Sequence, residues 1–215
     1  MLAMKILVIG ATGATGKQII NQLVQKVEVR EVVALVRKPS FLPNPKLHEQ
    51  VVDFNNLKAY AHLLVADVAI SCLGTTLKDA GSKSAQWVID YDYPLEFAKL
   101  CKENKVPKFL LLSSVGAIAQ SSVFYSKLKG SLEDALIECN FPELLIFRPA
   151  GLIRPNTDRI GEKVFVKILQ AINVLGILKT YKPIHVADLA KAMIRCISRT
   201  YPKITIFELK DINKI

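Results

Sequence analysis

Short runs of apolar residues alternate along this chain with longer segments whose apolar residues recur every three or four positions. The short runs are typical of buried strands, and the longer segments are typical of amphipathic helices. Their alternation predicts an α/β fold with a parallel sheet. The pattern places strands at residues 5–10, 29–36, 65–72, 108–112 and 143–147, with a further short strand ending near residues 51 and 52.

Helical spacing follows most of these strands, and Pro94 is expected to begin or kink one of the helices. The chain has 215 residues, a length that suits one domain. We therefore predict a single domain over residues 1–215. Its predicted helices have apolar faces at residues 20–27, 87–101, 125–139, 164–175 and 186–197, and a short apolar run lies at residues 183–186.

Composition narrows the function classes only slightly. With 51% hydrophobic and 22% charged residues, the chain has the usage of a folded globular protein rather than a disordered one. The net charge of +10 favours an anionic partner. Because the lysines are scattered and no nucleic-acid-binding module is recognisable, nucleic acid is not expected as that partner.

Several absent features predict a cytoplasmic protein. No apolar run approaches the roughly 18 residues that a membrane-spanning helix needs, so no span is expected. The first residues lack the pattern of a secretion signal, and the four cysteines form no CxxC pair, which predicts reduced thiols. The three histidines are isolated, so no metal site is expected.

Three glycines lie within seven residues between the first predicted strand and the first predicted helix. They are Gly10, Gly13 and Gly16, in the spacing GxxGxxG. Glycines at such a turn let backbone amides approach a pyrophosphate at the start of the helix. A purely structural turn is the alternative, and the strand-turn-helix context favours nucleotide binding.

The second predicted strand ends with two basic residues, Arg37 and Lys38. An acidic residue at this position usually binds the adenosine ribose of NAD. Two cations suit a ribose 2′-phosphate instead, because both form charge-assisted hydrogen bonds to phosphate. The sequence therefore favours NADP over NAD, and a solvated basic loop is the alternative.

A tyrosine and a lysine lie four residues apart on a predicted helix, at Tyr125 and Lys129. Residues at this spacing share a helix face, and a nearby ammonium favours the phenolate form of a tyrosine used in acid-base catalysis. Ser113 and Ser114 follow the preceding buried strand, at the sheet edge where ligands bind.

Three carboxylates also lie on a predicted helix and are interpreted as a solvated face, namely Asp90, Asp92 and Glu96.

Several segments together resemble the atypical short-chain dehydrogenases/reductases, and most of all the Tat-interacting-protein-like oxidoreductases. The resemblance covers nearly the whole chain and implies an NADPH-binding Rossmann fold, a doubly wound parallel sheet. It rests on the segments GATGATGK, VVDF, CLGTT, LLSS, YSKLK and FRP, and on Arg37 after the second strand.

The resemblance also implies a role for each matching residue. Tyr125 would donate or accept the proton during hydride transfer, and Ser113 or Ser114, with Ser114 preferred, would polarise the substrate carbonyl. Lys129 would bind the nicotinamide ribose. The remaining cofactor-binding residues would be Gly10, Thr12, Gly13, Ala14, Thr15 and Gly16 at the pyrophosphate, Arg37 and Lys38 at the 2′-phosphate, Asp53 and Phe54 near the adenine, and Leu73, Gly74, Thr75 and Pro149 along the cofactor.

Two departures from the family pattern keep a second hypothesis open. Cys-Leu-Gly replaces the asparagine-containing segment of the familiar enzymes, so the usual four-residue catalytic set is incomplete. Only about 65 residues follow Pro149, so residues 150–215 are expected to form most of a reduced substrate-side extension. The first hypothesis is an oxidoreductase that binds NADP(H) and a small carbonyl or alcohol substrate. The alternative is an NADPH-sensing regulator that acts through a protein partner with little or no catalysis.

Overall fold

The predicted α/β fold is confirmed by the computed structural model, which describes residues 3–154 and 183–215. Within these described residues, seven strands form a main sheet and two short strands pair separately. In chain order the strands are β1 (Met4–Ile9), β2 (Val29–Val36), β3 (Leu47–Val51), β4 (Val68–Ser71), β5 (Lys108–Leu112), β6 (Glu143–Arg148), β7 (Leu152–Ile153), β8 (Ile184–His185) and β9 (Ile204–Glu208).

The main sheet is parallel throughout, with the strand order β3-β2-β1-β4-β5-β6-β9. Strand β1 lies at the turning point of this order, because Val8 pairs with Ala34 of β2 on one side and with Ile70 of β4 on the other. In open parallel sheets the connections diverge at such a point and leave a crevice beyond the carboxyl ends of the strands. The fold therefore places a ligand crevice after β1 and β4.

The helices connect the strands, and those with a wide apolar stripe pack on the sheet. Pro94 lies in the first turn of a helix, as expected, because a missing N–H is tolerated there. The helices are α1 (Ala14–Leu23), α2 (Leu77–Ala80), α3 (Lys83–Trp87), α4 (Tyr93–Glu103), α5 (Phe124–Glu138), α6 (Val186–Arg195) and α7 (Leu209–Ile212), with a 3-10 segment at Phe54–Leu63 and a π-helical turn at Val88–Asp92.

Two apolar clusters cover opposite faces of the sheet. Successive residues of a strand point to opposite faces, so Val8 joins one cluster and Leu7 the other. Met193 of α6 lies in the Val8 cluster, and Phe97 of α4 lies in the Leu7 cluster. Helical layers on both faces are the arrangement that the doubly wound prediction requires.

Part of the predicted substrate-side extension, residues 150–215, belongs to the sheet and its helical layer instead. The Phe147 ring of β6 stacks on the Phe207 ring of β9, with ring centroids 4.8 Å apart. Helix α6 lies against α1, where the Gln22 side-chain amide donates a hydrogen bond of 3.0 Å to the Ala187 carbonyl. The predicted helix at residues 164–175 lies outside the described residues, and the single domain stays a prediction. In the described ranges, no helix is both long enough and apolar enough to cross a membrane.

Candidate functional site

The glycine turn passes so close to neighbouring backbone that two of its glycines have no room for a side chain. A Cβ atom on Gly10, whose φ is +72°, would lie 2.4 Å from the carbonyl carbon of Cys72 and from the backbone nitrogen of Leu73. A Cβ atom on Gly16 would lie 2.1 Å from the Gly10 carbonyl oxygen. The turn is therefore tight and packs closely between the ends of β1 and β4, while the approach of a pyrophosphate to it stays a prediction.

The start of α1 leaves its backbone N–H groups available to a ligand. Gly13 precedes the helix, no side chain caps it, and the first turn holds no acidic residue. The Gly13 N–H donates to the Gly10 carbonyl oxygen at 3.0 Å, and the Gly13 carbonyl accepts from the Lys17 N–H at 2.9 Å. The N–H groups of residues 14–16 have no intrahelical acceptor in a helix that begins here. This turn fits the pyrophosphate of a dinucleotide.

The predicted 2′-phosphate residues lie at the carboxyl end of β2, beside the crevice. Arg37 and Lys38 are exposed and follow the last residue of that strand. Within residues 3–154 and 183–215, neither side chain has an acidic partner in an ion pair. Both cations are therefore available to an anion.

The two predicted adenine residues differ in exposure. The Asp53 carboxylate is exposed and accepts hydrogen bonds from the Asn55 backbone N–H at 2.9 Å and from its side-chain amide at 3.1 Å. Phe54 is buried, and its ring centroid lies 5.6 Å from that of Tyr93. The Phe54 ring thus belongs to the core, and only Asp53 presents a side chain at the surface.

Residues 73–75 continue from β4 along the crevice, and two buried side chains hold their backbone. The Thr75 N–H donates to Asp90 Oδ1 at 2.7 Å. The Thr75 carbonyl accepts from Gln86 Nε2 at 3.2 Å. Thr75 is therefore fixed through both of its backbone polar groups.

The predicted tyrosine-lysine pair lies on one face of α5. Lys129 is 3% exposed, and its Nζ atom lies 5.9 Å from the centroid of the Tyr125 ring. Tyr125, by contrast, is 42% exposed. The ion-pair partner of Lys129 is Asp90, whose Oδ2 atom lies 3.6 Å from Nζ.

The interpretation of Asp90 as part of a solvated helix face is wrong. Its side chain is completely buried, and burial raises its pKa while the Lys129 ammonium and the Thr75 N–H lower it. Pro94 and Phe97, four and seven residues further along the chain, are buried as well. The π turn over Val88–Asp92 shifts the helical spacing, so the sequence pattern alone did not indicate that Asp90 is buried. Asp92 is exposed, as expected, and Glu96 is partly exposed.

The two candidate serines have different surroundings. Ser113 is buried, and its hydroxyl donates a hydrogen bond to Glu133. Glu133 also accepts from Arg148, whose guanidinium reaches Glu208 at 3.0 Å. Ser114 is partly exposed, with its hydroxyl 3.4 Å from the Val115 carbonyl oxygen. The Ser113 hydroxyl is thus engaged in a charged network that the sequence did not reveal.

The loop that carries the serines lies directly on the helix that carries the tyrosine and lysine. A Cβ atom on Gly130 would lie 2.2 Å from the Ala119 backbone nitrogen and 2.3 Å from the Ile118 carbonyl carbon. Pro149 holds the same loop from the other side, because its carbonyl accepts from the Val115 N–H at 2.9 Å. Gly130 therefore allows the loop that carries Ser113 and Ser114 to pack closely on α5, although no sequence motif indicated this contact.

Metal-ligand clusters are absent from the described ranges, where no group of three or more His, Cys, Asp or Glu side chains could hold an ion. All four cysteines are free thiols. The expectation that the protein binds no metal stays a prediction.

Comparison with curated proteins shows relatives along most of the chain. "Protein FMP52, mitochondrial" of Candida glabrata is 34% identical over 75% of this chain and 70% of its own length. "Protein HTATIP2" of Rattus norvegicus is 34% identical over 69% of this chain and 62% of its own length. The expectation of a cytoplasmic location is contradicted, because the relatives in Candida albicans, Candida glabrata and Meyerozyma guilliermondii are all named mitochondrial.

Comparison with solved structures shows the same fold in nucleotide-bound proteins. The Bordetella bronchiseptica enzyme WbmH in complex with NAD+ superimposes with a TM-score of 0.73 at 15% identity, over 96% of this chain and 76% of that one. UDP-glucuronic acid 4-epimerase from Bacillus cereus in complex with NAD gives 0.69 at 16% identity, over 95% and 77%. Identities this low show the Rossmann-type fold alone.

A family model described as NAD(P)H-binding matches residues 10–200, a span that begins at the first glycine of the turn and includes the tyrosine, the lysine and both serines. The resemblance to atypical short-chain dehydrogenases/reductases is confirmed by this match and by the relatives. The chain belongs to the NAD(P)H-binding family.

Proposed function

We propose that this protein is an NADPH-dependent oxidoreductase that transfers a hydride to or from a small carbonyl or alcohol substrate. The observation that carries the proposal is the pair on α5, where a buried Lys129 lies beside an exposed Tyr125. A phenol open to solvent and next to a buried cation is suited to proton transfer at a substrate oxygen. The family match and the fold support the cofactor class.

The crevice after β1 and β4 provides the groups that would hold the cofactor. The N–H groups at the start of α1 would bind the pyrophosphate, and residues 73–75 would lie along the nicotinamide half. NADPH, when bound, supplies the hydride. Lys129 would bind the ribose next to the nicotinamide, and the Asp53 carboxylate would lie near the adenine.

Three side chains would act on the substrate. Tyr125 would give its hydroxyl proton to the carbonyl oxygen, and the Lys129 charge would stabilise the negative oxygen left behind. Ser114 would donate a hydrogen bond to the same carbonyl oxygen. We assign this role to Ser114 because the Ser113 hydroxyl is already bonded to the buried Glu133.

The Tyr125→Phe variant tests the proton-transfer role. It removes the hydroxyl and keeps the ring, so NADPH affinity should stay unchanged while turnover of a carbonyl substrate falls by about 10²-fold or more. Isothermal titration and NADPH oxidation measure the two quantities. Tyr60→Phe, on the 3-10 segment, is the control. Unchanged turnover in Tyr125→Phe would remove Tyr125 from the mechanism.

Arg37 supports the preference for NADPH over NADH that we propose. It is exposed, lacks an acidic partner in the described ranges and follows the strand that leads to the adenosine ribose. Arg37→Ala should therefore weaken NADPH binding by about 10-fold and leave NADH binding unchanged. Arg30→Ala, an exposed arginine at the opposite end of β2, is the matched control. Equal losses for both cofactors would contradict the assignment.

The alternative of an NADPH-sensing regulator with little catalysis is not favoured by the fold or by the relatives. A protein partner stays a prediction. The small carbonyl or alcohol substrate is the proposal that the Tyr125 and Lys129 geometry supports best.

A further inference from the structure

Asp90 is a buried carboxylate that joins three elements around the crevice. It lies in the turn Val88–Asp92, its Oδ1 atom accepts from the backbone of the β4 loop at Thr75, and its Oδ2 atom faces Lys129 of α5. The position of a Cβ atom on Gly74 would be 3.6 Å from both Oδ2 and the Lys129 ammonium. The pair therefore lies directly beside the loop proposed to line the cofactor.

The two oxygens of Asp90 have different partners. Oδ1 receives a hydrogen bond of 2.7 Å, whereas Oδ2 is buried and has no hydrogen-bond partner in the described part of the chain. At 3.6 Å from Nζ, Oδ2 attracts Lys129 by charge and not through a well-formed hydrogen bond. A buried carboxylate with an unfilled oxygen costs stability, and apolar residues of similar size often serve the fold as well or better. The hydrogen bond to the Thr75 N–H accounts for Oδ1, whereas the position of Oδ2 beside Lys129 needs a further explanation.

The backbone around Asp90 is also unusual. A π-helical turn over Val88–Asp92 separates α3 from α4, and such turns occur frequently at functional sites. Helical backbone runs into this turn from α3 and out of it into α4. The extra residue of a π turn changes which side chains face inward. Asp90 lies in the middle of it and is buried, while Asp92 at its end is exposed.

We infer that Asp90 is a positioning residue, which holds the Lys129 ammonium against the loop of residues 73–75 so that the lysine meets the nicotinamide end of the cofactor. The inference rests on the proposed function, since it needs Lys129 to bind the ribose. It adds a fourth side chain to the site and links the cofactor loop to the catalytic helix. The Asp90 carboxylate has no contact with the substrate in this role.

The test compares two ligands that share one end. NADPH, bound as proposed, would extend from the glycine turn to Lys129, whereas 2′,5′-ADP carries only the adenosine and its phosphates. Asp90→Asn keeps an oxygen for the Thr75 N–H but removes the charge that holds Lys129. We expect this variant to bind NADPH about 10-fold more weakly and 2′,5′-ADP as well as the unmodified protein, by isothermal titration. A defect in the fold would weaken both.

Controls separate local from general effects. Asp92→Asn removes an exposed carboxylate two residues away and should change neither affinity. Arg37→Ala should weaken both ligands. Because a neutral amide costs less to bury than a carboxylate, Asp90→Asn should fold, as thermal unfolding of the free protein will show. If Asp90→Asn does not fold, the same titrations use Asp90→Ser, which is also neutral and is smaller.

A double variant gives a second and independent measurement. If Asp90 acts through Lys129, then adding Asp90→Asn to Lys129→Met should weaken NADPH no further than Lys129→Met alone. Additive losses would overturn the inference. So would unchanged NADPH affinity in Asp90→Asn, or equal losses of NADPH and 2′,5′-ADP. If the unmodified protein binds neither ligand, the proposed function itself fails, and the inference fails with it.

Discussion

Two buried lysines, Lys108 and Lys129, lie in contrasting surroundings on opposite sides of the sheet. Lys108 begins β5, and its ammonium lies 3.0 Å from a carboxylate oxygen of Glu143. It also donates hydrogen bonds to three carbonyl oxygens beyond the end of α6, those of Cys196, Ile197 and Arg199, at 3.5, 3.2 and 2.6 Å. Lys129 lies on α5 beside the crevice, and its ion-pair partner, Asp90, is 3.6 Å away.

These surroundings indicate that the Lys108 charge serves the fold, whereas the Lys129 charge is a candidate for function. Lys108 donates to carbonyl oxygens beyond the end of α6, where helical carbonyl groups lack intrahelical donors, and a position at the carboxyl end of a helix is favourable for a cation. Lys129 satisfies few such groups and retains donors for a ligand. A buried cation with few partners at a ligand crevice is therefore the stronger candidate for function.

The largest expected loss of unfolding free energy follows substitution of the structural lysine, Lys108. Lys108→Met keeps the aliphatic stem but leaves Glu143 and three carbonyl oxygens without their cation. We expect the free energy of unfolding, measured with urea, to fall by about 3 kcal/mol while the folded protein still binds NADPH normally. Lys99→Met, on the exposed face of α4, is the control. A loss below about 1 kcal/mol would place Lys108 among ordinary surface charges.

A smaller effect is expected next to Lys129. Gly130→Ala would place a methyl group within 2.2 Å of the Ala119 backbone nitrogen and force the serine loop away from α5. We expect a loss of about 2 kcal/mol in unfolding free energy, together with slower turnover because Ser114 moves. Gly74→Ala is the matched stability control, since its methyl group would make only ordinary contacts at 3.6 Å. Equal stability of the two variants would refute the close packing at Gly130.

The smallest loss is expected for Lys129 itself. In Lys129→Met the buried Asp90 loses its cation, its raised pKa rises further, and the carboxyl group takes up a proton rather than remaining an unpaired charge. The loss of unfolding free energy should be about 1 kcal/mol near pH 4, much less than for Lys108→Met.

The pH dependence of Lys129→Met follows from the same carboxyl group. The folded state keeps the Asp90 proton at pH values where the unfolded chain releases it, above the ordinary pKa of 3.8. The unfolded state then binds fewer protons than the folded state, so stability falls as pH rises above about 4, until the folded carboxyl group also releases its proton. Urea unfolding of the variant and the unmodified protein across this range should show a growing difference. A constant difference would mean that Asp90 does not titrate with Lys129.

The sequence predicted the fold because local signals and the global arrangement agree. Apolar strands such as Lys108–Leu112 and helices with a single apolar stripe leave few alternatives to a parallel sheet. Arg37 and Lys38 directly follow β2, and Tyr125 and Lys129 lie four residues apart on α5, so the sequence alone indicated that the members of each pair lie close together. Sequence can predict the proximity of residues that lie in one helix or strand, or at one edge of the sheet.

The parts that sequence did not predict depend on contacts between distant elements. Asp90 reaches Lys129 across 39 positions, and the π turn that carries it has no reliable sequence signal. Ser113 and Ser114 are adjacent in sequence, and they differ in burial and in the contact of Ser113 with Glu133. Gly130 matters because of a loop that folds back on it. Burial and pairing of this kind are tertiary properties.

We propose that the crevice after β1 and β4 binds NADP(H), with Arg37 at the 2′-phosphate and Lys129 at the nicotinamide ribose. Isothermal titration of the unmodified protein with NADPH, NADP+, NADH and NAD+ tests it most directly. We predict that NADPH and NADP+ bind at least about 10-fold more tightly than NADH and NAD+. A preference for NADH, or no binding of any of the four, would contradict the account.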